Sequence, residues 1–211
     1  MSTDVVVFTL RDEQLKALLV RRGEPPFKGM WALPGGFVGA GEDLDASAMR
    51  HLDIGTGVTG LYLEQLYTFG KPDRDPRGRV ISVAYYALIS SERLQLRAAT
   101  GSEGVGWFAL EELPELAFDH AAIVGDARQR LSAKLAYSTI AFQFMPEKFT
   151  LPELQSVYEI ILNEPLDKRN FRKRVCAIEQ LEATGEVRRN GSHRPARLYR
   201  VTNPGEVQII K

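Results

Sequence analysis

Two rhythms of apolar residues run along this chain, and one gives way to the other between residues 140 and 150. In the first part the apolar residues gather in short β-branched runs split by polar turns. VVVFTL at 5–10, ALLV at 17–20 and VISVAYYALI at 80–89 predict strands. Between them Leu44, Ala48 and Leu52 recur at steps of four, which predicts an amphipathic helix over 43–53 entered from a glycine-rich loop. Strands around a helix define a mixed α/β (α+β) unit. After GWFAL a second helix is expected, with Asp119 as its candidate N-cap and Ile123, Ala127 and Leu131 on one face. No internal repeat or low-complexity tract interrupts the chain.

Beyond the Pro-interrupted AFQFMPEKF the rhythm turns helical. Thr150 and Glu153 form a capping-box start, and Leu151, Leu154, Val157, Tyr158, Ile161 and Leu162 mark one buried face. Asn163-Glu164-Pro165-Leu166 ends that helix. Asp167 then caps a longer one, expected to run to a stop at Gly185, with Phe171, Val175, Ile178 and Leu181 inward and Lys168, Arg169, Arg172 and Lys173 off the stripe. GEVRRNGSHRPARLYRV alternates into a hairpin whose turn contains Asn190-Gly191. Helix, turn, basic helix and basic hairpin in that order predict a small winged helix-turn-helix that binds DNA. These breaks divide the chain into residues 1–142 and 143–211.

Charge sharpens this picture. The 211 residues carry 27 basic and 27 acidic side chains, so the net charge is zero, yet Lys168, Arg169, Arg172, Lys173, Arg174, Arg188, Arg189, Arg194, Arg197 and Arg200 crowd near the C-terminus. A neutral chain with one basic module is no general polycation, but it suits one phosphate-rich partner. No apolar run reaches the roughly 18–20 residues of a membrane span, and MSTDVVVFTL has no basic leader segment, so a cytoplasmic location without membrane contact is expected. The single cysteine, Cys176, excludes an internal disulfide and a thiolate metal cluster, and is expected to be a small buried hydrophobe.

The chemistry-bearing segment is Gly36-Phe37-Val38-Gly39-Ala40-Gly41-Glu42, followed, after seven intervening residues, by Arg50-His51-Leu52-Asp53-Ile54-Gly55-Thr56-Gly57-Val58. It resembles the Nudix box, in which a glycine and a glutamate precede Arg-Glu-aliphatic-x-Glu-Glu-x-Gly-aliphatic. Gly36, Glu42, Arg50, Leu52, Gly57 and Val58 stand in register, but the three later glutamate positions hold His51, Ile54 and Gly55. Nudix enzymes cleave diphosphates with magnesium-type ions that need clustered carboxylate oxygens. Isoleucine and glycine offer none, histidine is a poor magnesium ligand, and Asp53 leaves the helix at another angle. The expectation is therefore no catalytic residue, no metal and no cofactor. Trp31 to Gly36, reading Trp-Ala-Leu-Pro-Gly-Gly, is similar to the entry of Nudix proteins acting on ADP-ribose, and 63–89 looks like their later strands. The resemblance implies an α/β/α sandwich with a mixed sheet.

A cleft that loses its metal ligands can still bind a nucleoside diphosphate. Trp31, Phe37, Tyr67 and Phe69 are candidates for stacking on a base, and Arg22, Arg50, Arg74, Arg77 and Arg79 for meeting phosphate or ribose, with a Glu42 ion pair as the plainer role for Arg50. In the second part Lys168, Asn170 and Arg172 are candidates for base edges, and Arg169, Lys173, Arg174, Arg188, Arg189, Arg194 and Arg197 for phosphates.

Degenerate box, FTLPELQSVYE, PLDKRNFRKRV and RPARLYRV together are similar to the Nudix-related transcriptional regulators of the NrtR family, over nearly the whole chain. That resemblance implies a homodimer through the Nudix domains, a palindromic double-stranded operator, repression of NAD synthesis or salvage genes, and ADP-ribose or a related nucleotide as effector. Two other readings remain open at this point. One is a regulator of pentose metabolism with a sugar-metabolite effector, and the other an active ADP-ribose pyrophosphatase with an accessory domain.

Overall fold

The computed structural model describes residues 1–56, 61–91, 102–189 and 195–210. Chain contacts divide it into two units, Met1–Arg130 and Leu131–Lys211.

The first unit is built on β1 (Ser2–Arg11) and β6 (Ser82–Ile89), paired in parallel from Ser2 opposite Ser82 to Thr9 opposite Ile89. Both strands are buried along almost their whole length, which explains their continuous apolar composition. Around them β2 (Gln14–Arg22), β3 (Trp31–Ala32), β4 (Gly35–Phe37), β5 (Tyr62–Phe69) and β7 (Ser102–Ala109) complete a mixed sheet in the order β3-β2-β1-β6-β5, with β4 also on β1 and β7 on β2. All pairings except β1 with β6 are antiparallel. One face carries Val5, Val7, Leu18, Val83, Tyr85, Ala87 and Ile89, and α1 (Leu44–Thr56) lays Ala48 and Leu52 on it. The residue steps that predicted this helix are thus those that bury it.

Strand β7 carries no β-rich run, because Gly104 and Gly106 interrupt it. A Cβ at Gly106 would come within 3.1 Å of the Phe108 ring, whereas one at Gly104 would meet only Trp31, at an ordinary contact distance of 3.9 Å; Trp31 meets Phe108 edge-on at 4.7 Å between centroids. Helix α2 (His120–Leu135) buries Ile123, Ala127 and Leu131 as expected. Asp119 precedes it, but both its carboxylate oxygens accept from Arg74.

The second unit contains α3 (Leu151–Leu162), α4 (Lys168–Val175) and the hairpin of β8 (Leu181–Arg188) and β9 (Ala196–Val201). Thr150 and Glu153 form the reciprocal capping box, and Asp167 caps α4 through the Asn170 amide. Helix α4 is shorter than its apolar stripe suggests. It ends at Val175, and Leu181 already begins a strand. Gly185 is therefore no helix stop. It has φ +80° inside β8, where the pairing shifts between Ala183 and Val187, a conformation that favours glycine. Ile178 is nevertheless buried. Cys176, expected to be buried, is exposed at the end of α4, because Phe171 and Val175 already fill the inward positions. The Asn190-Gly191 turn, Arg194, Gly57 and Val58 lie outside the described residues. Among the described residues no helix is long and apolar enough to cross a membrane.

Replacing Leu52 by alanine should destabilise the first unit by about 2–5 kcal/mol in a denaturant titration. Asp53→Ala, an exposed change on the same helix, should stay within about 0.5 kcal/mol of the parent.

Candidate functional site

Where β1 meets β4, the chain leaves a pocket of about 510 Å³ including its solvent-facing mouth, lined among others by Asp4, Arg22, Phe37, Arg77, Phe118 and His120. Gly35 stands opposite Asp4 in the β1–β4 ladder, and a Cβ there would overlap the Thr3 carbonyl and come within 2.5 Å of Asp4 Oδ1. A glycine is thus what lets the Asp4 carboxylate sit against β4.

Deep in the pocket Arg74, only 3% exposed in its side chain, lies between two carboxylates. Its Nε and Nη2 donate to Asp119 at 2.9 and 2.7 Å, and Nη2 reaches Asp4 Oδ2 at 3.4 Å. Ser82 also donates to Asp4, at 2.5 Å. His120 Nδ1 accepts the Leu33 amide at 2.9 Å, so the ring proton sits on Nε2, 3.6 Å from Asp4 Oδ1. Burial pushes the His120 pKa down, against the opposing pull of Asp4 and Asp119, and keeps the ring neutral.

Nearer the mouth, guanidinium groups and aromatic rings alternate. Arg22 lies 4.8 Å from the Phe118 centroid, and Arg77 lies 5.1 Å from that of Phe37 and 5.8 Å from that of Phe118. Arg77 is held by a two-pronged pair with Asp75 at 3.0 and 2.7 Å. Burial, and after it the Arg77 charge, lower the pKa of Arg22. Two cations crowded over one ring are relieved by an anion placed between them, which suits a phosphate.

Four of the nine residues singled out for ligand binding, Arg22, Phe37, Arg74 and Arg77, line this pocket. The others lie elsewhere. Trp31 packs on Phe108, and Tyr67 and Phe69 form an edge-on pair on β5. Arg79 donates to the Gly70 carbonyl at 2.6 Å. Arg50 clasps Glu42 at 2.5 and 2.7 Å. Asp4, Asp75, Phe118 and His120 went unnoticed in the sequence, where AFDH and DPR carry no motif and Asp4 stands inside an apolar run.

The box residues do not fit a catalytic metal ion. Both oxygens of Glu42 are occupied by Arg50, and one also accepts the Gly39 amide at 2.8 Å. His51 Nε2 meets the Phe37 carbonyl at 3.0 Å, and its ring fills the space above Gly36 that a Cβ would overlap. Ile54 and Gly55 contribute no side-chain oxygen. Among the described residues no group of three or more His, Cys, Asp or Glu side chains is placed to hold a metal.

In the second unit the turn between α3 and α4 is pinned by Glu159. One of its oxygens accepts both the Leu166 amide and Gln155 Nε2 at 2.9 Å, and Gln155 also donates to the Leu166 carbonyl at 3.0 Å. The Leu166 bond first, and the Gln155 bond next, hold the Glu159 pKa below the ordinary glutamate value. Phe171 meets Tyr158 edge-on at 5.2 Å, so α4 turns its apolar side to α3 and leaves Lys168, Arg169, Asn170, Arg172 and Lys173 exposed. Arg189 and Arg197 are exposed on the hairpin. Arg174 and Arg188 are engaged internally, the first with the Leu135 and Ala136 carbonyls, the second with Glu153 and the Lys148 carbonyl.

Comparison with known proteins gives matches over both units. Residues 1–127 match the NUDIX domain model and residues 141–201 the NrtR DNA-binding winged helix domain model. An ADPR responsive transcriptional repressor NtrR of Acinetobacter baylyi is 41% identical over 95% of this chain and 81% of its own length. The crystal structure of Shewanella oneidensis NrtR complexed with a 27mer DNA superposes with a TM-score of 0.85 at 40% identity, covering 95% of this chain and 93% of that one. An ADP-ribose pyrophosphatase of Methanocaldococcus jannaschii is 39% identical over 58% of this chain and 71% of its own length.

The Arg50 bond, and then the Gly39 amide, hold the Glu42 pKa at about 2 against an ordinary 4.5. A depressed carboxylate pKa contributes stability that is complete above the unfolded value and fades as pH falls through the folded one. The unfolding midpoint of the parent should therefore exceed that of Glu42→Gln by a constant margin at neutral pH. The margin should close between pH 4.5 and about 2, as followed by thermal melts.

Proposed function

Because this chain belongs to the NrtR family, in which a Nudix domain is joined to a winged helix, we propose that it is a DNA-binding transcriptional repressor that responds to ADP-ribose or a related NAD-derived nucleotide. The observation that carries this is a match running through both domains to an ADPR responsive repressor and to an NrtR seen on DNA. The pocket supports it with buried and mouth-side guanidiniums beside aromatic rings, a chemistry for a diphosphate and a base. The basic face of α4 supports it from the other end, since exposed cations off an apolar stripe suit the major groove.

In this reading two copies associate through their Nudix domains, and the paired winged helices read a palindromic operator in the cytoplasm. The genes repressed are those of NAD synthesis or salvage, a use that suits an effector formed by NAD breakdown. Nucleotide relieves repression by favouring the DNA-free form, to which it must bind more tightly than to the DNA-bound form. This reading expects no hydrolysis, because three glutamate positions of the box hold His51, Ile54 and Gly55. The likeness to an ADP-ribose pyrophosphatase supports a second reading, hydrolysis of ADP-ribose, which is separable by assay.

A duplex selected by the purified chain from a random-sequence pool should bind with affinity that falls with salt by about 0.9 log units per log unit for each phosphate neutralised. ADP-ribose should weaken that binding by about 5–150-fold, as read by fluorescence anisotropy. Unchanged affinity at saturating nucleotide would reject the effector. In a separate assay with magnesium or manganese, ADP-ribose should remain intact, and release of AMP at an enzymatic rate would establish the hydrolase reading instead.

A further inference from the structure

Among the arginines of the second unit, Arg188 pairs with Glu153 at a part-exposed position, as an ordinary surface ion pair does. Arg174, itself exposed, differs in that its partners are backbone carbonyls. Its Nη2 donates to the Leu135 carbonyl at 2.7 Å and to the Ala136 carbonyl at 2.8 Å, and its guanidinium carbon lies 5.9 Å from the centroid of Tyr158. Leu135 is the last residue of α2, and the final carbonyls of a helix have no partner within the helix. They also form the negative end of its dipole, where a cation is favoured. Tyr158 is a buried residue of α3 and is the ring that meets Phe171 of α4. One side chain on α4 thus touches the end of α2 and the helix against which α4 packs.

Resting on the reading of α4 as the helix that enters the groove, we propose that Arg174 is a positioning residue for DNA recognition, fixing the attitude of α4 by clamping it to the carbonyl end of α2 rather than meeting phosphate itself. The sequence KRNFRKRV gives no means of separating it from the other four cations of the helix. Their geometry does. The side chains of Lys168, Arg169, Arg172 and Lys173 have no hydrogen bond or ion pair among the described residues, whereas both donor directions of Arg174 Nη2 are committed.

Base readout and phosphate attraction respond differently to a change in helix attitude. Bidentate bonds to base edges require fixed geometry, while non-specific binding follows the number of charges near the backbone. Lysine at position 174 keeps the charge but replaces the planar fork by a single ammonium. Arg174→Lys should therefore weaken binding to the selected duplex by about tenfold, the scale of one base-edge contact. Binding to a scrambled duplex of equal length should stay within about twofold, with an unaltered salt slope, because the charge count is unchanged. As the phosphate-contact control, Arg169→Gln should weaken binding to both duplexes and lower the slope by about 0.9 per winged helix engaged.

Arg174→Gln, read beside Arg174→Lys with thermal melts of both, keeps the test open should one variant fold poorly. The proposal fails if Arg174→Lys binds the selected duplex as the parent does. It fails equally if Arg174→Gln behaves as Arg169→Gln, losing slope and affinity on both duplexes. A parent chain that binds neither duplex overturns the proposed function and this proposal with it. A parent that binds beside an Arg174→Lys indistinguishable from it overturns this proposal alone.

Discussion

A guanidinium enclosed in protein must be neutralised where it lies, and the pocket is organised around that requirement at Arg74. Its partners come from places far apart in the chain: Asp4 from the central strand and Asp119 from the residue before α2. Removing one partner of such a buried pair typically costs about 3–5 kcal/mol, since the remaining charge cannot regain water. The arrangement therefore holds the 71–81 connection, β1 and the start of α2 in one geometry. Arg22, Arg77 and Phe118 line the same pocket, with Arg77 held by Asp75 and both guanidiniums close to the Phe118 ring.

Much of the fold was legible in the sequence because local physics dictates it. The apolar runs of β1 and β6, the step of four in α1, the Thr150–Glu153 box and the Asp167 cap each depend on neighbours a few residues away. What escaped depends on distant partners. Glycines hid β7, whose strand character comes from its pairing with β2, far earlier in the chain. An apolar stripe continuing through Ile178 and Leu181 extended α4 on paper, although those residues serve a turn and a strand in the structure. Candidate ligand residues divided in the same way. The arginines of the 71–81 connection were conspicuous by their density, while Asp4 and His120 have meaning only through what the sheet brings beside them.

The altered box keeps the loop-helix architecture of the motif while three of its glutamate positions hold other residues. Gly36 remains because His51 occupies the space above it, and Glu42 with Arg50 now ties the loop to the helix that follows. Of the residues kept in register, Gly36, Glu42, Arg50 and Leu52 each have a packing or bonding role. Those exchanged, at 51, 54 and 55, are the ones whose acidity is useful only to a metal ion. In a fold of this kind, register therefore reports ancestry, and the oxygen donors report chemistry.

The Glu159 bracket at the turn between α3 and α4 carries a physiological corollary. Its carboxylate is anchored by an amide proton and a carboxamide, neither of which titrates, and its own affinity for protons is reduced by them. Acidification by one logarithmic step from neutrality would leave this carboxylate ionised and the joint closed. The turn that it pins is thereby held alike on either side of neutrality.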